Sequence, residues 1–226
     1  MNGGLRVAID GPMGAGKGTV ARLVACRLGY RYVDTGAMYR AVAWKALREG
    51  VDLEDPRAVE EVARAARIRL EPNPEGMRVW CDGEDVTEAI RSAQVSAAVA
   101  RVAANPGVRA LLTEQQREMA RGGGVVMEGR DIGTVVLPDA EVKVFLEASL
   151  EERARRRYAE LRARGEAVSL DQVRELVRRD DEVARTRITA PLRRAQDAVL
   201  VDTTGRTPEE VAEEIVRLVE ARVGVR

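Results

Sequence analysis

The chain of 226 residues has no histidine at all, and only 3% of it is aromatic. Without imidazole there is no Ser-His-Asp triad and no histidine-held zinc, which removes the usual serine hydrolases and most zinc enzymes. Lysine is almost missing too: Lys17, Lys45 and Lys143 are the only three, every other cationic side chain being arginine. The two cysteines, Cys26 and Cys81, are too far apart for a zinc or redox spacing, so both are expected to be buried free thiols in a reducing compartment. No apolar run approaches the roughly 18 residues of a membrane span, and the first residues lead into a strand rather than a signal peptide. A soluble cytoplasmic protein is expected. Neither charge sign is in excess: 37 basic and 37 acidic residues are interspersed, so no nucleic-acid partner is expected. Phosphoryl transfer survives these exclusions, because it rests on positioning and cationic charge.

What is present begins with a short apolar run, Leu5 to Ile9, followed by Gly11-Pro12-Met13-Gly14-Ala15-Gly16-Lys17-Gly18-Thr19. After it Val20, Leu23, Val24 and Leu28 recur at helical spacing. Strand, glycine loop and helix in that order fit the phosphate-cradling signature G-x-x-x-x-G-K, in which backbone N–H groups converge on anionic oxygens and a lysine reaches the outer phosphates. The residue after Lys17 is Gly18, and the hydroxyl arrives one place later, at Thr19. This G-K-G-T form resembles nucleoside monophosphate kinases.

Along the chain, Tyr30 to Val33 reads as a second strand, ending in Asp34-Thr35-Gly36-Ala37-Met38-Tyr39-Arg40 and a helix to about Glu49. By spacing alone Thr35 is either a cap or a contact, Arg40 either solvated or functional, and Asp34 a candidate to orient water on magnesium. Residues 51–105 interrupt the alternation with a helix from Asp55-Pro56, a hairpin of Ile68–Glu71 and Met77–Cys81 around Asn73-Pro74-Glu75-Gly76, and a helix from Thr87 to Val102. Another helix starts at Asn105-Pro106 and runs to Arg121. Val125 to Met127 reads as a buried parallel strand leading into Glu128-Gly129-Arg130-Asp131-Ile132-Gly133-Thr134. There Arg130 and Asp131 suit a phosphate and a base or hydroxyl, or form a local ion pair. Glu141 to Leu146 is a further strand. Two arginine-bearing helices follow, capped at Ser149 and Ser169 and separated at Gly165, in the pattern of a hinged lid or of exposed Glu–Arg-laced helices. Arg153, Arg156 and Arg157 share a helix face. Ala198 to Val201 and a helix from Thr207 close the chain.

The four segments Gly-Pro-Met-Gly-Ala-Gly-Lys-Gly-Thr, Asp-Thr-Gly-Ala-Met-Tyr-Arg, Glu-Gly-Arg-Asp-Ile-Gly-Thr and Ala190-Pro191-Leu192, in this order, resemble bacterial cytidylate kinases from Val7 to about Val219. The resemblance implies an α/β fold with a P-loop, a five-stranded parallel sheet flanked by helices, an inserted monophosphate-binding subdomain and a helical lid. It divides one kinase domain into core (1–50, 106–147), insert (51–105), lid (148–165) and a C-terminal part of the core (166–226). It implies ATP-dependent phosphorylation of CMP and dCMP, with Mg²⁺ and with no general base. Gly11, Pro12, Met13, Gly14, Ala15, Gly16, Lys17, Gly18 and Thr19 would hold the ATP phosphates, and Thr19 or Asp34 the metal through water. Thr35 would meet cytosine, Arg40 the CMP phosphate, Arg109 and Arg187 the base, and Arg130 and Asp131 the acceptor phosphate and nucleoside; Lys17, Arg130 and Asp131 would be catalytic. The lid would supply Arg153, Arg156 or Arg157. Arg179 would hold the ribose, although it stands one residue too far upstream and Val183 or Ala184 falls where its polar partner is expected. A monomer without nucleic-acid or membrane partners is implied. The alternatives are a P-loop kinase for another small acceptor, or a nucleotide-binding protein without catalysis.

Overall fold

In the computed structural model, which describes residues 4–73 and 76–224, the chain begins with β1 (Arg6–Asp10), α1 (Lys17–Leu28), β2 (Arg31–Asp34) and α2 (Thr35–Arg48). Next come α3 (Pro56–Ala65), β3 (Ile68–Asn73), β4 (Gly76–Cys81), β5 (Glu84–Asp85) and α4 (Ala93–Ala104). The remainder is α5 (Pro106–Ala120), β6 (Val125–Gly129), β7 (Val142–Glu147), α6 (Leu150–Ala163), α7 (Leu170–Thr186), β8 (Val199–Asp202) and α8 (Pro208–Gly224).

Five strands make one parallel sheet in the order β2-β6-β1-β7-β8. β1 lies at the centre, with Val7 opposite both Val126 and Val142. Its neighbours diverge from there, which makes the carboxyl end of β1 the switch point at which such sheets open a ligand crevice. Central strands are covered on both faces and so read as unbroken apolar runs. Val7, Ile9, Val126 and Leu146 face α1 and α8, packing with Val20, Val24, Val211 and Ile215. Ala8, Val33 and Met127 face the opposite way, onto Ala120, Ile132 and Val136. Each Val, Ile, Leu or Met side chain among them, fully buried, contributes about 1.5–3 kcal/mol.

Between α3 and α4 lies a second, antiparallel sheet, β3-β4-β5. It is not a separate body. Ala37 and Ala41 of α2 pack with Met77, Val79, Cys81 and Ile90, while Met38, Tyr39 and Val42 of the same helix pack with α3, α4 and α5. α2 thus packs on the small sheet on one side and on α3, α4 and α5 on the other, and it carries Arg40. The hairpin pairs as expected from Ile68↔Cys81 to Asn73↔Gly76; its turn residues 74 and 75 lie outside the described residues.

Three expectations need correction. The helix read as Thr87 to Val102 is broken into a 3₁₀ turn, Ala89–Arg91, and α4, because Ser92 is extended and its hydroxyl accepts from the N–H of Val95 at 3.4 Å. Cys26 is exposed, on the far side of α1 from Val20, Ala21, Val24 and Ala25, whereas Cys81 is buried as expected. Finally, four of the five core strands run one residue later than their apolar runs and end on an acid: Asp10, Asp34, Glu147 and Asp202.

Candidate active site

The loop from Gly11 to Gly16 turns the end of β1 into α1. Gly14 has φ +77°, and a Cβ there would lie 2.7 Å from the carbonyl oxygen of Arg153, so only glycine fits. Gly16, also at positive φ, precedes α1 and offers no side-chain cap. The first amides of α1 therefore keep their donors, with the positive helix end behind them, for an anionic ligand. Lys17 Nζ donates to the carbonyl of Pro12 at 2.9 Å. Burial and the Arg130 guanidinium push the Lys17 pKa down, against the pull of Glu128, Asp180 and Asp10. The loop is gripped from behind: Arg153 donates to the carbonyl of Met13 at 3.1 Å, and Thr203 Oγ1 donates to that of Ala15 at 3.2 Å.

Acids line the same edge of the sheet. Buried Asp10 accepts the N–H of Ile132 at 2.8 Å and of Gly133 at 2.7 Å, which pins the π-helical turn Ile132–Val136 to the end of β1. Burial raises its pKa to about 6, although both amides oppose the shift. Glu128 is buried beside the loop and accepts from the Tyr32 hydroxyl at 3.3 Å. Burial and the neighbouring Asp34 push its pKa up; Lys17 and Arg130 pull it down. Asp34 itself caps α2 by accepting from the Ala37 N–H at 3.0 Å.

A cationic group lies across the crevice. Arg130 approaches Asp180 to 2.9 Å. Asp131 is 5% exposed, accepts from Arg109 and lies 3.9 Å from Arg187. Arg109 also donates to the carbonyl of Ala103 at 3.1 Å and stands 5.3 Å from the centre of the Tyr39 ring. Arg187 is held by a bond from Nε to the carbonyl of Ala190 at 2.6 Å, Ala190 taking the left-handed φ of +49°. Burial, then the Arg109 charge, push the Arg187 pKa down. Arg40 donates to Ser96 Oγ at 3.0 Å, and its pKa is lowered by burial and by Arg157, Arg91 and Arg164. Arg40, flanked by Arg157, Arg91 and Arg164, stands in a surplus of positive charge that favours an anion there. Thr35 is buried and donates to the carbonyl of Glu128 at 2.8 Å; a Cβ on Gly129 would meet its hydroxyl at 2.6 Å.

Some expected residues lie elsewhere. Arg179 is exposed and tied to Glu175 at 2.7 Å, one turn back on α7. Arg153 is buried in a two-pronged pair with Asp181, at 2.9 and 2.6 Å, and Arg156 is bound to Thr203 and Glu152. Both brace the loop from below. Of the three helix-face arginines only Arg157 borders Arg40. Sequence reasoning passed over Asp10, Glu128, Asp180, Asp181 and Tyr39. An acid ending a strand that leads into a glycine loop was the available signal for Asp10; nothing in spacing marks Asp180 from Asp181. Two cavities of about 680 and 440 Å³ open at the opposite end of the sheet, around Arg6, Pro138, Asp139 and Glu141, and contain none of these residues. Among the described residues no helix is long and apolar enough to cross a membrane.

The family described as cytidylate kinase matches residues 7–221. A cytidylate kinase of Pelotomaculum thermopropionicum is 55% identical over 222 residues, 98% of each chain. One of Geobacillus thermodenitrificans is 53% identical over 218 residues, 96% of this chain and 97% of that one. Among solved structures, a gluconokinase from Sinorhizobium meliloti superimposes with a TM-score of 0.51 at 14% identity, covering 97% of this chain and 93% of that one, which bears on the fold alone.

Proposed function

This chain belongs to the cytidylate kinase family and phosphorylates CMP and dCMP with ATP as donor; from that premise we propose how its residues divide the work. The residues Gly11 to Thr19 hold the donor phosphates on loop amides and Lys17. Arg40, assisted by Arg157 and Arg91, holds the 5′-phosphate of the acceptor. Arg109, Asp131 and Arg187, with Thr35, read the cytosine edge, and Arg130 spans from Asp180 toward the transferring group. Arg179 is left out of this assignment, since its guanidinium is engaged with Glu175 on an exposed face.

An oxygen of the acceptor phosphate attacks the γ-phosphorus, and the bond from that phosphorus to the β–γ bridging oxygen breaks, giving ADP and CDP or dCDP. The nucleophile is already an anion near neutral pH, the second ionisation of a phosphate monoester lying near pH 6. No side chain need take a proton. The residues align the two phosphates and spread cationic charge over the equatorial oxygens, the main sources of rate in such transfers.

Mg²⁺ fits the acids beside the loop. Burial first and the neighbouring Asp34 second make the Glu128 carboxylate costly to ionise, and a divalent cation beside it relieves that cost. Among the described residues no three such ligands converge. The ion would therefore be held through its waters by Glu128, Asp34 and the exposed Thr19, neutralising β- and γ-phosphate charge. We further propose a cytoplasmic monomer that binds no nucleic acid.

The observation supporting these roles is the meeting, at one edge of one sheet, of an uncapped helix start with its lysine and the Arg109–Asp131–Arg187 cluster. The test is ADP release from Mg-ATP with CMP, dCMP, UMP, AMP or no acceptor. Turnover with CMP and dCMP well above AMP is expected; equal rates with every acceptor would overturn the base-reading roles.

A further inference from the structure

Three buried polar atoms without a hydrogen-bond partner sit behind the base-reading cluster: the Tyr39 hydroxyl and both the oxygen and the nitrogen of the Gln116 amide. Gln116 is 1% exposed and Tyr39 8%. On α5, Arg109, Thr113 and Gln116 stand at i, i+4 and i+7, so they share one face, and all three are buried. That face meets α2, where Tyr39 places its ring 5.3 Å from the Arg109 guanidinium. Burial raises the Tyr39 pKa to about 12, opposed first by the Arg109 charge and last by the nearby Gln116 amide, which lies close to the phenol without a well-formed hydrogen bond to it. Leaving a phenol and an amide unpaired in a core is unfavourable, and apolar side chains of the same size would fill the space without that cost.

Arg109 explains why polar groups are kept there. Its two terminal nitrogens each give one N–H, to Ala103 and to Asp131, so a pyrimidine must be met by the remaining N–H groups, whose directions are set by how the guanidinium plane is turned. The ring beneath it sets the plane in which it can turn. We propose that Gln116 and Tyr39 are positioning residues for Arg109: the amide, able both to donate and to accept, holds the phenol, and the phenol ring holds the guanidinium plane that recognises the pyrimidine. The amide closes onto the phenol directly after a small shift or through one enclosed water. This rests on the role proposed above for Arg109.

The test is steady-state kinetics and thermal melting of Gln116→Met, Tyr39→Phe and the double variant, beside Arg109→Met as reference. Each single variant is expected to raise KM for CMP five- to twentyfold, with KM for ATP within twofold. The preference for CMP over UMP should narrow. Melting temperature should stay level or rise, since an unpaired polar group has been removed. The double variant should fall within about twofold of the worse single variant, because both act through one guanidinium. Unchanged KM for CMP in Gln116→Met and Tyr39→Phe would overturn the proposal, as would equal rises in KM for CMP and ATP with a lowered melting temperature. Tyr39→Phe loses a single oxygen atom and keeps the test open should Gln116→Met fail to fold. If Arg109→Met itself leaves KM for CMP unchanged, the role of Arg109 is what has failed.

Discussion

Lys17 donates its ammonium to the carbonyl of Pro12, 2.9 Å away in its own loop. The lysine is thus already folded over the cradle it is to serve, in place of lying extended in solvent. A donor phosphate has only to exchange one acceptor for another, and the side chain's rotamer freedom is spent before binding. Replacing Lys17 by alanine is expected to lower turnover at least about a hundredfold, the usual cost of losing one strong electrostatic stabiliser. Near-normal turnover by a folded variant would remove Lys17 from the mechanism.

Arg40 is expected to act on the acceptor and not on the donor. In Arg40→Met, kcat/KM for CMP should fall about a hundredfold, or roughly 2.7 kcal/mol, while KM for ATP stays within about twofold. Ser96→Ala, which frees the guanidinium from its 3.0 Å bond, should cost only a few-fold. A parallel loss toward both substrates would mean that Arg40 supports the fold.

Asp10 gives a pH dependence whose sign can be worked out. Its pKa is about 6 in the folded protein against 3.8 unfolded, so its contribution to stability is fullest below about pH 4 and is lost as pH rises through 6. Between pH 5 and pH 8 wild type should lose about 1–2 kcal/mol relative to Asp10→Asn, which has no such proton. Denaturant melts of both proteins at the two pH values measure this. A stability gap that ignores pH would contradict it.

Breaking the Arg153–Asp181 pair should destabilise the protein even though neither residue is assigned to substrate. Arg153→Met leaves a largely buried carboxylate unpaired, at a cost of about 3 kcal/mol. For a chain of this size that is a drop of roughly 6–12 °C in melting temperature. Asp181→Leu added to it should recover part of the loss. If the single variant melts with wild type, the grip of this pair on the Met13 carbonyl is incidental.

Glu128→Gln removes one of the two carboxylates assigned to the hydrated cation while retaining a hydrogen-bond acceptor for Tyr32. The Mg²⁺ concentration giving half-maximal turnover should rise several-fold, on the order of 1 kcal/mol. An unshifted magnesium dependence would leave Asp34 and Thr19 as the remaining candidates.

The amino-acid sequence by itself determined the strand–loop–helix around Lys17, the alternation that makes a parallel sheet, and the motif-bearing ends of the strands. These rest on local effects: glycine's access to positive φ, caps such as Asn105 and Ser169, and apolar periodicity over a few residues; the cap of α2 is Asp34, with Thr35 already inside the helix. Strand ends were read one residue short because an apolar run stops where the acids begin, while the backbone ladder continues through Asp10, Asp34, Glu147 and Asp202. Only the tertiary structure decided which of many arginines are spoken for. Arg153, Arg156 and Arg157 are equivalent by helix spacing, yet the first is consumed by Asp181 and the second by Thr203, while the third, paired with Glu160 one turn on, is the one whose charge reaches Arg40. Adjacent Asp180 and Asp181 likewise part company, one to Arg130 and the other to Arg153. A guanidinium's role is fixed by which acceptors come within hydrogen-bonding distance of it, and such a partner can lie 140 residues away in the chain, as Met13 does from Arg153. Local spacing carries no record of that distance.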